Sequence, residues 1–171
     1  MVGFESINEK KFIEFAPKIK LIATDIDGVW TDSKMYYTSD GELMKSFSTY
    51  DGMAIKILRE HDILVAIMTG ENTDIVKRRA EKLNIEHLFL GENEKLKRLN
   101  YLCQKLNIEF ENVAYIGDDI NDLEVLRVVG LSAMPSSSII LDQFEPDMVT
   151  KRVGGDGAFR EFSDLILKYR T

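Results

Sequence analysis

Short apolar segments alternate with longer amphipathic segments from Lys20 onward, and this alternation is what most constrains the fold. The apolar segments are LIATD, ILVAIMTG, HLFLG and VAYIGDD, followed by a weaker fifth segment, GLSAM, at 130–134. They are continuously apolar, as expected of parallel strands that helices cover on both faces. Strands that alternate with helical segments form βαβ units around a parallel sheet. We therefore predict an α/β fold, a doubly wound parallel sheet between two layers of helices.

The whole chain, 1–171, has the length of a single domain. Within it, two segments near the N-terminus depart from the alternation of apolar and amphipathic segments. Residues 1–19 place apolar side chains at roughly helical spacing and end near Pro17, which predicts a short packing helix. Residues 33–48 predict a β-hairpin after the first strand, because the Asp-Gly pair at 40–41 favours a tight turn.

Composition and charge exclude several classes of protein. The chain has 22 Lys and Arg against 29 Asp and Glu, a net charge of −7, whereas nucleic-acid-binding domains usually carry a basic surface. Its apolar runs are shorter than the roughly 20 residues that span a bilayer, and no secretory signal is visible, so we expect a cytoplasmic protein without membrane or nucleic-acid partners. The single cysteine, Cys103, excludes an intramolecular disulfide and is expected to be a small buried hydrophobe.

Carboxylates directly follow two of the predicted strands. Asp25 and Asp27 follow the first, and Asp118, Asp119 and Asp122 follow the fourth. The carboxyl ends of parallel strands form the ligand-binding edge of an open α/β sheet, so we expect the two clusters to lie together. Each Asp taken alone is also typical of a turn or a helix N-terminus. Two acidic clusters at one edge would repel each other, however, and a hard divalent cation such as Mg²⁺ would relieve that repulsion.

Three further residues at the same edge are compatible with phosphate binding. Thr69 and Gly70 end the second apolar segment, and Lys95 begins the helix after the third. Thr69 could donate a hydrogen bond to a phosphate oxygen, although a Thr at a strand end more often bonds to the local backbone. Lys95 in isolation would be interpreted as a solvated helix charge.

The four motifs together carry a family resemblance. DIDGVWTD (25–32), TG (69–70), Lys95 and GDDIND (117–122) occur in this order, each at a predicted strand end or the helix start that follows. The set resembles the haloacid dehalogenase-like phosphohydrolase superfamily over essentially the whole chain from Lys20. The resemblance implies a Rossmann-like core, Mg²⁺ as cofactor, and phosphoryl transfer through an aspartyl-phosphate.

The resemblance also implies which residues carry the chemistry. Asp25 corresponds to the nucleophile and Asp27 to the general acid and base of these enzymes. Thr69 with Gly70, and Lys95, correspond to the phosphate-binding second and third motifs.

The metal site is implied in the same way. Asp118 corresponds to the side-chain ligand of Mg²⁺, joined by Asp25 and by the backbone carbonyl of Asp27. Asp119 and Asp122 would support these ligands from outside, and Asp122 would steady the phosphate-binding lysine.

The short gaps between motifs point to one branch of the superfamily. Only the hairpin separates the first two motifs, and 71–94 has room for one helix and one strand, so the chain is capless. It resembles the small tetrameric phosphatases of 2-keto-3-deoxy sugar acids. The resemblance implies a homotetramer in which four hairpins form a central β-barrel and a neighbouring subunit helps to cover each site.

Three charged residues after the second motif bear on the substrate. Glu71, Arg79 and Lys82 lie near one edge of the predicted helix, where they form either a solvated charged face or a site for the sugar carboxylate. In the octulosonate-type members that the chain resembles, the position of Glu71 is typically Arg. The departure favours 2-keto-3-deoxynononate 9-phosphate or N-acetylneuraminate 9-phosphate over the alternative, 3-deoxy-D-manno-octulosonate 8-phosphate.

The C-terminal segment, 151–171, predicts a glycine-rich turn and then a helix over about 158–169. The turn, Gly154–Gly157, has two open interpretations. Either it is a flexible connection in which Asp156 caps the last helix, or, as the resemblance suggests, it is a mobile tail that reaches a neighbouring active site.

Two other classes of protein share parts of this pattern. Receiver domains combine Asp, Thr, Lys and Mg²⁺ on a doubly wound sheet, but their phosphoacceptor ends the third strand, where this chain has Leu90 and Gly91. A non-catalytic oligomerisation domain of the same fold would usually lack the nucleophile or the acid. Both are present here, so an enzyme remains the preferred hypothesis.

Overall fold

The structure, a computed structural model, describes residues 7–170, so 1–6 of the predicted packing segment and Thr171 lie outside the described residues. The helices are α1 (Glu9–Phe15), α2 (Thr49–Glu60), α3 (Asp74–Leu83), α4 (Lys95–Leu106), α5 (Leu123–Leu126) and α6 (Ala158–Arg170). The strands are β1 (Leu21–Thr24), β2 (Tyr36–Thr38), β3 (Gly41–Met44), β4 (Leu64–Met68), β5 (His87–Phe89), β6 (Val113–Ile116), β7 (Leu131–Pro135) and β8 (Met148–Thr150). Short 3₁₀ turns lie at Ala16–Lys18, Phe110–Asn112 and Ile120–Asp122.

Six of the described strands form one parallel sheet in the order β5-β4-β1-β6-β7-β8. The doubly wound parallel sheet predicted from the alternation is therefore confirmed, with β1 between β4 and β6 at its centre. The edge strand β8 was not predicted, because three residues after a loop carry too little apolar pattern to be recognised. Its residues are nevertheless buried against β7.

Helices cover both faces of this sheet. Leu21 and Ala23 of β1 pack into the core beneath α4 and α5, whereas Ile22 packs into the core beneath α1, α2, α3 and α6. This alternation follows from the period of two along a strand. Cys103 is 4% exposed in the first of these cores, as expected of a packing residue, and Trp30 is fully buried against Phe159.

The predicted hairpin is present as a separate two-stranded sheet of β2 and β3. Gly41 forms its turn at φ +118, a conformation that favours glycine. Between β4 and α4 the described chain contains α3 and β5, which leaves the fold capless. Within residues 7–170, no helix is long and apolar enough to cross a membrane.

Candidate active site

The carboxyl ends of β1, β4 and β6 bring the predicted motifs together. Asp25 follows β1, Thr69 follows β4, and Asp118 lies two residues beyond β6. The backbone N–H of Asp25 donates to the carbonyl of Ile116 at 3.1 Å, which fixes the nucleophile motif beside the second acidic motif. The expectation that both acidic clusters meet at one edge therefore holds in the structure.

Asp25 is buried and held at both carboxylate oxygens. Its Oδ1 accepts from the backbone N–H of Ile26 at 2.7 Å, and its Oδ2 lies 3.1 Å from the ammonium of Lys95. Burial and the charge of Asp122 raise the pKa of Asp25 to about 7, against the lowering effect of Lys95. Without a further cation, the ionised form of the Asp25 carboxyl is therefore disfavoured in this site.

Asp118 is the second buried carboxylate of the site, and one of its oxygens is unsatisfied. Among residues 7–170, its Oδ1 finds no hydrogen-bond partner. Burial, followed by the charges of Asp25, Asp122 and Asp119, raises the pKa of Asp118 to about 8. A buried polar oxygen without a partner is costly in free energy unless a bound ligand, such as a cation, satisfies it.

Asp122 is fully buried and, unlike Asp118, has both oxygens occupied. Oδ1 accepts from Lys95 Nζ at 2.6 Å and from the hydroxyl of Tyr115, and Oδ2 accepts from the backbone N–H groups of Asp118 at 3.0 Å and Asp119 at 3.3 Å. Burial alone would lower the pKa of Lys95, but the charges of Asp25 and Asp122 raise it, so the ammonium stays charged. Asp122 thus holds Lys95 and the loop that directly follows β6.

The donor set fits a hard divalent cation. Oxygens of Asp25, Asp118 and Asp122 lie within 4.8 Å of one another. Each oxygen of Asp122 accepts from two donors, whereas each oxygen of Asp25 has one partner and Oδ1 of Asp118 has none among residues 7–170, so Asp25 and Asp118 have the oxygens with room for a cation. The carboxylate of Asp27 is not part of this cluster, and Asp119 caps the following 3₁₀ turn through the N–H of Ile120 at 2.7 Å.

Asp27 is held by the turn that follows β1 and by the hairpin. Its Oδ1 accepts from the hydroxyl of Thr31 at 3.1 Å and from Lys45 Nζ at 2.6 Å. The ammonium of Lys45 also lies 3.0 Å from Glu42 Oε1. Burial would lower the pKa of Lys45, but Asp27 and Glu42 raise it. No sequence pattern pointed to Lys45.

Two of the candidate phosphate-binding residues, Thr69 and Gly70, line a small cavity together with Asp25 and Asp27. The cavity has a volume of about 160 Å³, and its lining is Asp25, Asp27, Met35, Thr69, Gly70, Glu71, Asp119 and Asn121. Thr69 is buried, and its hydroxyl accepts from the N–H of Glu71 at 3.4 Å. The volume is below the roughly 300 Å³ at which drug-sized ligand sites begin, so it suits a phosphate group rather than an entire sugar acid.

Two of the three candidate substrate residues lie outside this cavity. Arg79 is directed between α3 and α2, where its guanidinium donates to the carbonyl of Ser48 at 3.1 Å and lies 5.5 Å from the Phe47 ring centroid. Lys82 is exposed nearly one turn further along α3. Because α3 runs away from the cavity at about 1.5 Å per residue, only Glu71, which precedes the helix, reaches it in the described chain.

The glycine-rich turn packs on the nucleophile motif of its own chain. A Cβ on Gly154 would lie 1.9 Å from the carbonyl oxygen of Gly28, and the N–H of Gly155 donates to Val29 O at 3.0 Å. Within the described chain, this turn therefore packs against the candidate active site and supports its nucleophile motif. The N-terminal turn of α6 is capped by Asp51, whose Oδ1 accepts from the N–H of Arg160 at 2.9 Å, and this is the role expected of Asp156.

Comparisons with known proteins agree with this geometry. Residues 40–130 match the family model of haloacid dehalogenase-like hydrolases. The chain is 41% identical over 150 residues to the 3-deoxy-D-manno-octulosonate 8-phosphate phosphatase KdsC of Haemophilus influenzae, with 88% of this chain and 83% of that protein covered. KdsC of Escherichia coli K12 is 41% identical over 152 residues, with 89% and 81% covered.

A solved structure extends the likeness to three dimensions. The 3-deoxy-D-manno-octulosonate 8-phosphate phosphatase of Moraxella catarrhalis, solved with a magnesium ion, a phosphate ion and a KDO molecule, matches at a TM-score of 0.89 and 38% identity. The match covers 94% of this chain and 92% of that one. The expected superfamily is therefore confirmed, and the receiver-domain and non-catalytic alternatives are not supported. The chain belongs to the haloacid dehalogenase-like hydrolases, in the capless branch of the 3-deoxy-D-manno-octulosonate 8-phosphate phosphatases, and is a phosphoric monoester hydrolase.

Proposed function

We propose that the chain is a Mg²⁺-dependent phosphatase of 3-deoxy-D-manno-octulosonate 8-phosphate with Asp25 as its nucleophile. The observation that carries the proposal is the buried Oδ1 of Asp118, which has no hydrogen-bond partner among residues 7–170 and lies in the acidic cluster with Asp25. A cation at this point would satisfy that oxygen and allow both carboxyls to ionise. The magnesium and phosphate ions in the Moraxella catarrhalis relative support the choice of cofactor.

Mg²⁺ would be held by Asp25, Asp118 and, as the family pattern implies, the backbone carbonyl of Asp27. It would neutralise negative charge on the phosphate oxygens. Thr69 and Gly70 line the cavity that would hold the phosphate group. The ammonium of Lys95, 3.1 Å from Asp25, offsets the like-charge repulsion between the attacking carboxylate and its substrate.

The first half-reaction transfers the phosphoryl group to Asp25. A carboxylate oxygen of Asp25 forms a bond to phosphorus while the bond between phosphorus and the C8 oxygen of the sugar acid breaks. Asp27 donates its proton to that oxygen, which leaves as the C8 hydroxyl of the free sugar acid.

The second half-reaction returns the enzyme to its starting state. Asp27, now a carboxylate, takes a proton from water as the water oxygen attacks the aspartyl-phosphate. The bond between phosphorus and Asp25 breaks, inorganic phosphate is released, and Asp27 again carries the proton for the next turnover.

The choice of an eight-carbon substrate departs from the preference derived from the sequence. Relatives that are 41% identical over most of this chain are 3-deoxy-D-manno-octulosonate 8-phosphate phosphatases. This likeness favours 3-deoxy-D-manno-octulosonate 8-phosphate as substrate over the nine-carbon acid phosphates. One observation keeps 2-keto-3-deoxynononate 9-phosphate and N-acetylneuraminate 9-phosphate as second candidates. Glu71, the residue that departs from the octulosonate pattern, lines the cavity itself.

A homotetramer is part of the proposal, as is a cytoplasmic location. The hairpin presents Tyr36, Tyr37, Leu43 and Met44 with 42%, 63%, 60% and 50% exposure in the isolated chain. Large apolar side chains concentrated on one element are typical of an interface. The cavity is also too small to enclose a sugar acid, so a neighbouring subunit would be needed to cover the rest of the substrate.

Phosphate release from the eight-carbon and nine-carbon acid phosphates, measured side by side with and without Mg²⁺, tests the function. We expect metal-dependent release with the higher kcat/KM on 3-deoxy-D-manno-octulosonate 8-phosphate. A clear preference for a nine-carbon substrate would refute the proposed eight-carbon substrate but not the proposed phosphatase mechanism. Failure to release phosphate from any of them would overturn the assignment to sugar acids.

A further inference from the structure

Lys45 is a buried lysine that the chemistry described above does not use. It follows β3 directly, and its side chain is 0% exposed. A buried ammonium is costly unless it is paired, and Lys is seldom fully buried without a specific partner. Its nearest partner is Asp27, at 2.6 Å, the residue expected to carry the proton.

The two oxygens of Asp27 are in different situations. Oδ1 accepts from both Lys45 and Thr31. Oδ2 is buried and has no hydrogen-bond partner among the residues that the structure describes. One oxygen is thus anchored by two donors, which leaves Oδ2 as the oxygen free to carry and release a proton.

The hairpin supplies this anchor. Glu42 of β3, with a side chain 13% exposed, holds the same ammonium at 3.0 Å, so Lys45 is fixed between a hairpin carboxylate and Asp27. Thr31 belongs to the same turn as Asp27 and cannot by itself tie that turn to another element. Lys45 is therefore the link between the hairpin and the side chain of Asp27.

We propose that Lys45 is a positioning residue for proton transfer, which binds Oδ1 of Asp27 and so presents Oδ2 to the leaving oxygen of the substrate. This inference rests on the proposed function, because it takes Asp27 as the proton donor. The lysine itself neither contacts the phosphate nor transfers a proton. An alternative is that Lys45 only attaches the hairpin to the core, and the two roles differ in how they depend on the leaving group.

The leaving group separates the two roles because only some leaving groups need a proton. An alkoxide, as in a sugar acid phosphate, must be protonated as it departs, and general acid catalysis typically contributes 10²- to 10⁴-fold to such a step. The p-nitrophenolate ion is stable without a proton. In the first half-reaction, which kcat/KM reports, a defect in the position of Asp27 should slow release of the alkoxide and spare release of p-nitrophenolate. Hydrolysis of the aspartyl-phosphate is common to both substrates and does not enter kcat/KM.

The test compares wild type with Lys45→Met on a sugar acid phosphate and on p-nitrophenyl phosphate, both with saturating Mg²⁺. We expect kcat/KM for the sugar acid phosphate to fall at least about tenfold, and kcat/KM for p-nitrophenyl phosphate less than about threefold. Lys34→Met is the matched control, since Lys34 belongs to the same segment, is 72% exposed and pairs with Asp32; it should leave both rates unchanged.

A double variant shows whether Lys45 acts through Asp27. In an Asp27→Asn background, Lys45→Met should cause no further loss on the sugar acid phosphate. Equal losses of kcat/KM on both substrates, no loss on either, or full additivity with Asp27→Asn would overturn the proposal. If Lys45→Met does not fold, as judged by circular dichroism, Lys45→Gln replaces it with the same expected pattern.

Failure of this inference is distinguishable from failure of the proposed function. The alkyl substrate is whichever sugar acid phosphate the wild-type enzyme hydrolyses, so an error in the carbon number does not affect the comparison. If Asp25→Asn retains activity, the proposed function fails. If Asp25→Asn is inactive but Lys45→Met slows both substrates equally, only the inference about Lys45 fails.

Discussion

The backbone of Gly28 lies directly against the carboxylate of Asp118. A Cβ on Gly28 would lie 1.8 Å from Asp118 Oδ2, and Gly28 itself has φ +95. The turn after β1 and the loop after β6 are therefore packed so closely that any side chain at position 28 must displace the candidate metal ligand. This contact couples the position of the nucleophile motif to that of the second acidic motif.

Gly28→Ala should consequently lower activity by displacing Asp118. We expect a loss of about 100-fold in Mg²⁺-dependent phosphate release, because a shift of about 1 Å at a reacting centre has an effect of this size. A higher Mg²⁺ concentration for half-maximal activity should accompany the loss. Gly41→Ala is the control, since Gly41 also has a positive φ but its added Cβ meets no atom within 4 Å among the described residues. Equal effects of the two variants would contradict the account.

Asp122→Ala should destabilise the fold strongly. The change leaves the hydroxyl of Tyr115 and two backbone N–H groups without their acceptor and removes the shorter ion pair of Lys95. Breaking one side of a buried ion pair costs roughly 3 to 5 kcal/mol in free energy of unfolding. Urea denaturation measures the loss. Asp164→Ala, which removes a half-exposed partner of Arg160, should cost less than about 1 kcal/mol.

The metal-free protein should become less stable as the pH rises from about 5 to 8. Burial and neighbouring charges raise the pKa values of Asp25 and Asp118 from 3.8 to about 7 and about 8, so the folded state retains protons that the unfolded state has lost. The stabilisation is complete below pH 3.8 and is lost as the pH rises through the folded-state values. The slope is on the order of 1.4 kcal/mol per pH unit for each retained proton.

Thermal unfolding with EDTA and with Mg²⁺ checks this pH dependence. Because the cation favours the ionised carboxylates, the gain in Tm on adding Mg²⁺ should increase from pH 5.5 to pH 8. Asp118→Asn should reduce that increase. A gain in Tm that is independent of pH in the wild-type protein would argue against a cation between these two carboxylates.

The hairpin should be required for assembly. Replacing Tyr37 and Leu43 by Asp puts charges at two of its exposed apolar side chains and should lower the sedimentation coefficient from that of a tetramer toward that of a monomer. Ile13→Asp, at a residue 61% exposed on α1, is the control and should leave the sedimentation coefficient unchanged. Sedimentation of the wild-type chain as a monomer would refute the tetramer.

Glu71→Arg should change the choice between substrates. An Arg at the cavity would offer a bidentate donor to a substrate carboxylate, whereas Glu repels it, and the carbon number sets how far that carboxylate lies from the phosphate. We expect the ratio of kcat/KM for the eight-carbon over the nine-carbon substrate to increase about tenfold or more, by 1.4 kcal/mol of discrimination. Glu81→Arg makes the same charge change at an exposed site of α3 and should leave the ratio unaltered. An unaltered ratio in Glu71→Arg would exclude this residue as a selector.

The strand-end residues could be predicted because a parallel sheet leaves little freedom in where its strands end. Asp25, Thr69, Lys95 and Asp118 needed only the alternation of apolar and amphipathic segments to be placed at one edge. Tyr115 could not be recognised, since it lies in an apolar strand segment and its role depends on a hydroxyl that reaches Asp122.

The contacts of the hairpin and of α3 could not be predicted for a different reason. The contact between Lys45 and Asp27 depends on how the hairpin folds back over the preceding turn, and no spacing rule determines that angle. Arg79 illustrates the same limit. A charge near one edge of a helix can turn toward a ligand or toward the next helix, and here it turns toward the carbonyl of Ser48.

The central claim is that Asp25 acts as a nucleophile in a Mg²⁺-dependent phosphatase. Phosphate release from 3-deoxy-D-manno-octulosonate 8-phosphate by wild type and by Asp25→Asn, each with Mg²⁺ and with EDTA, tests it most directly. The account predicts release by the wild type with Mg²⁺ and a loss of at least about 1000-fold both with EDTA and in Asp25→Asn. Full Mg²⁺-dependent release by Asp25→Asn would contradict it.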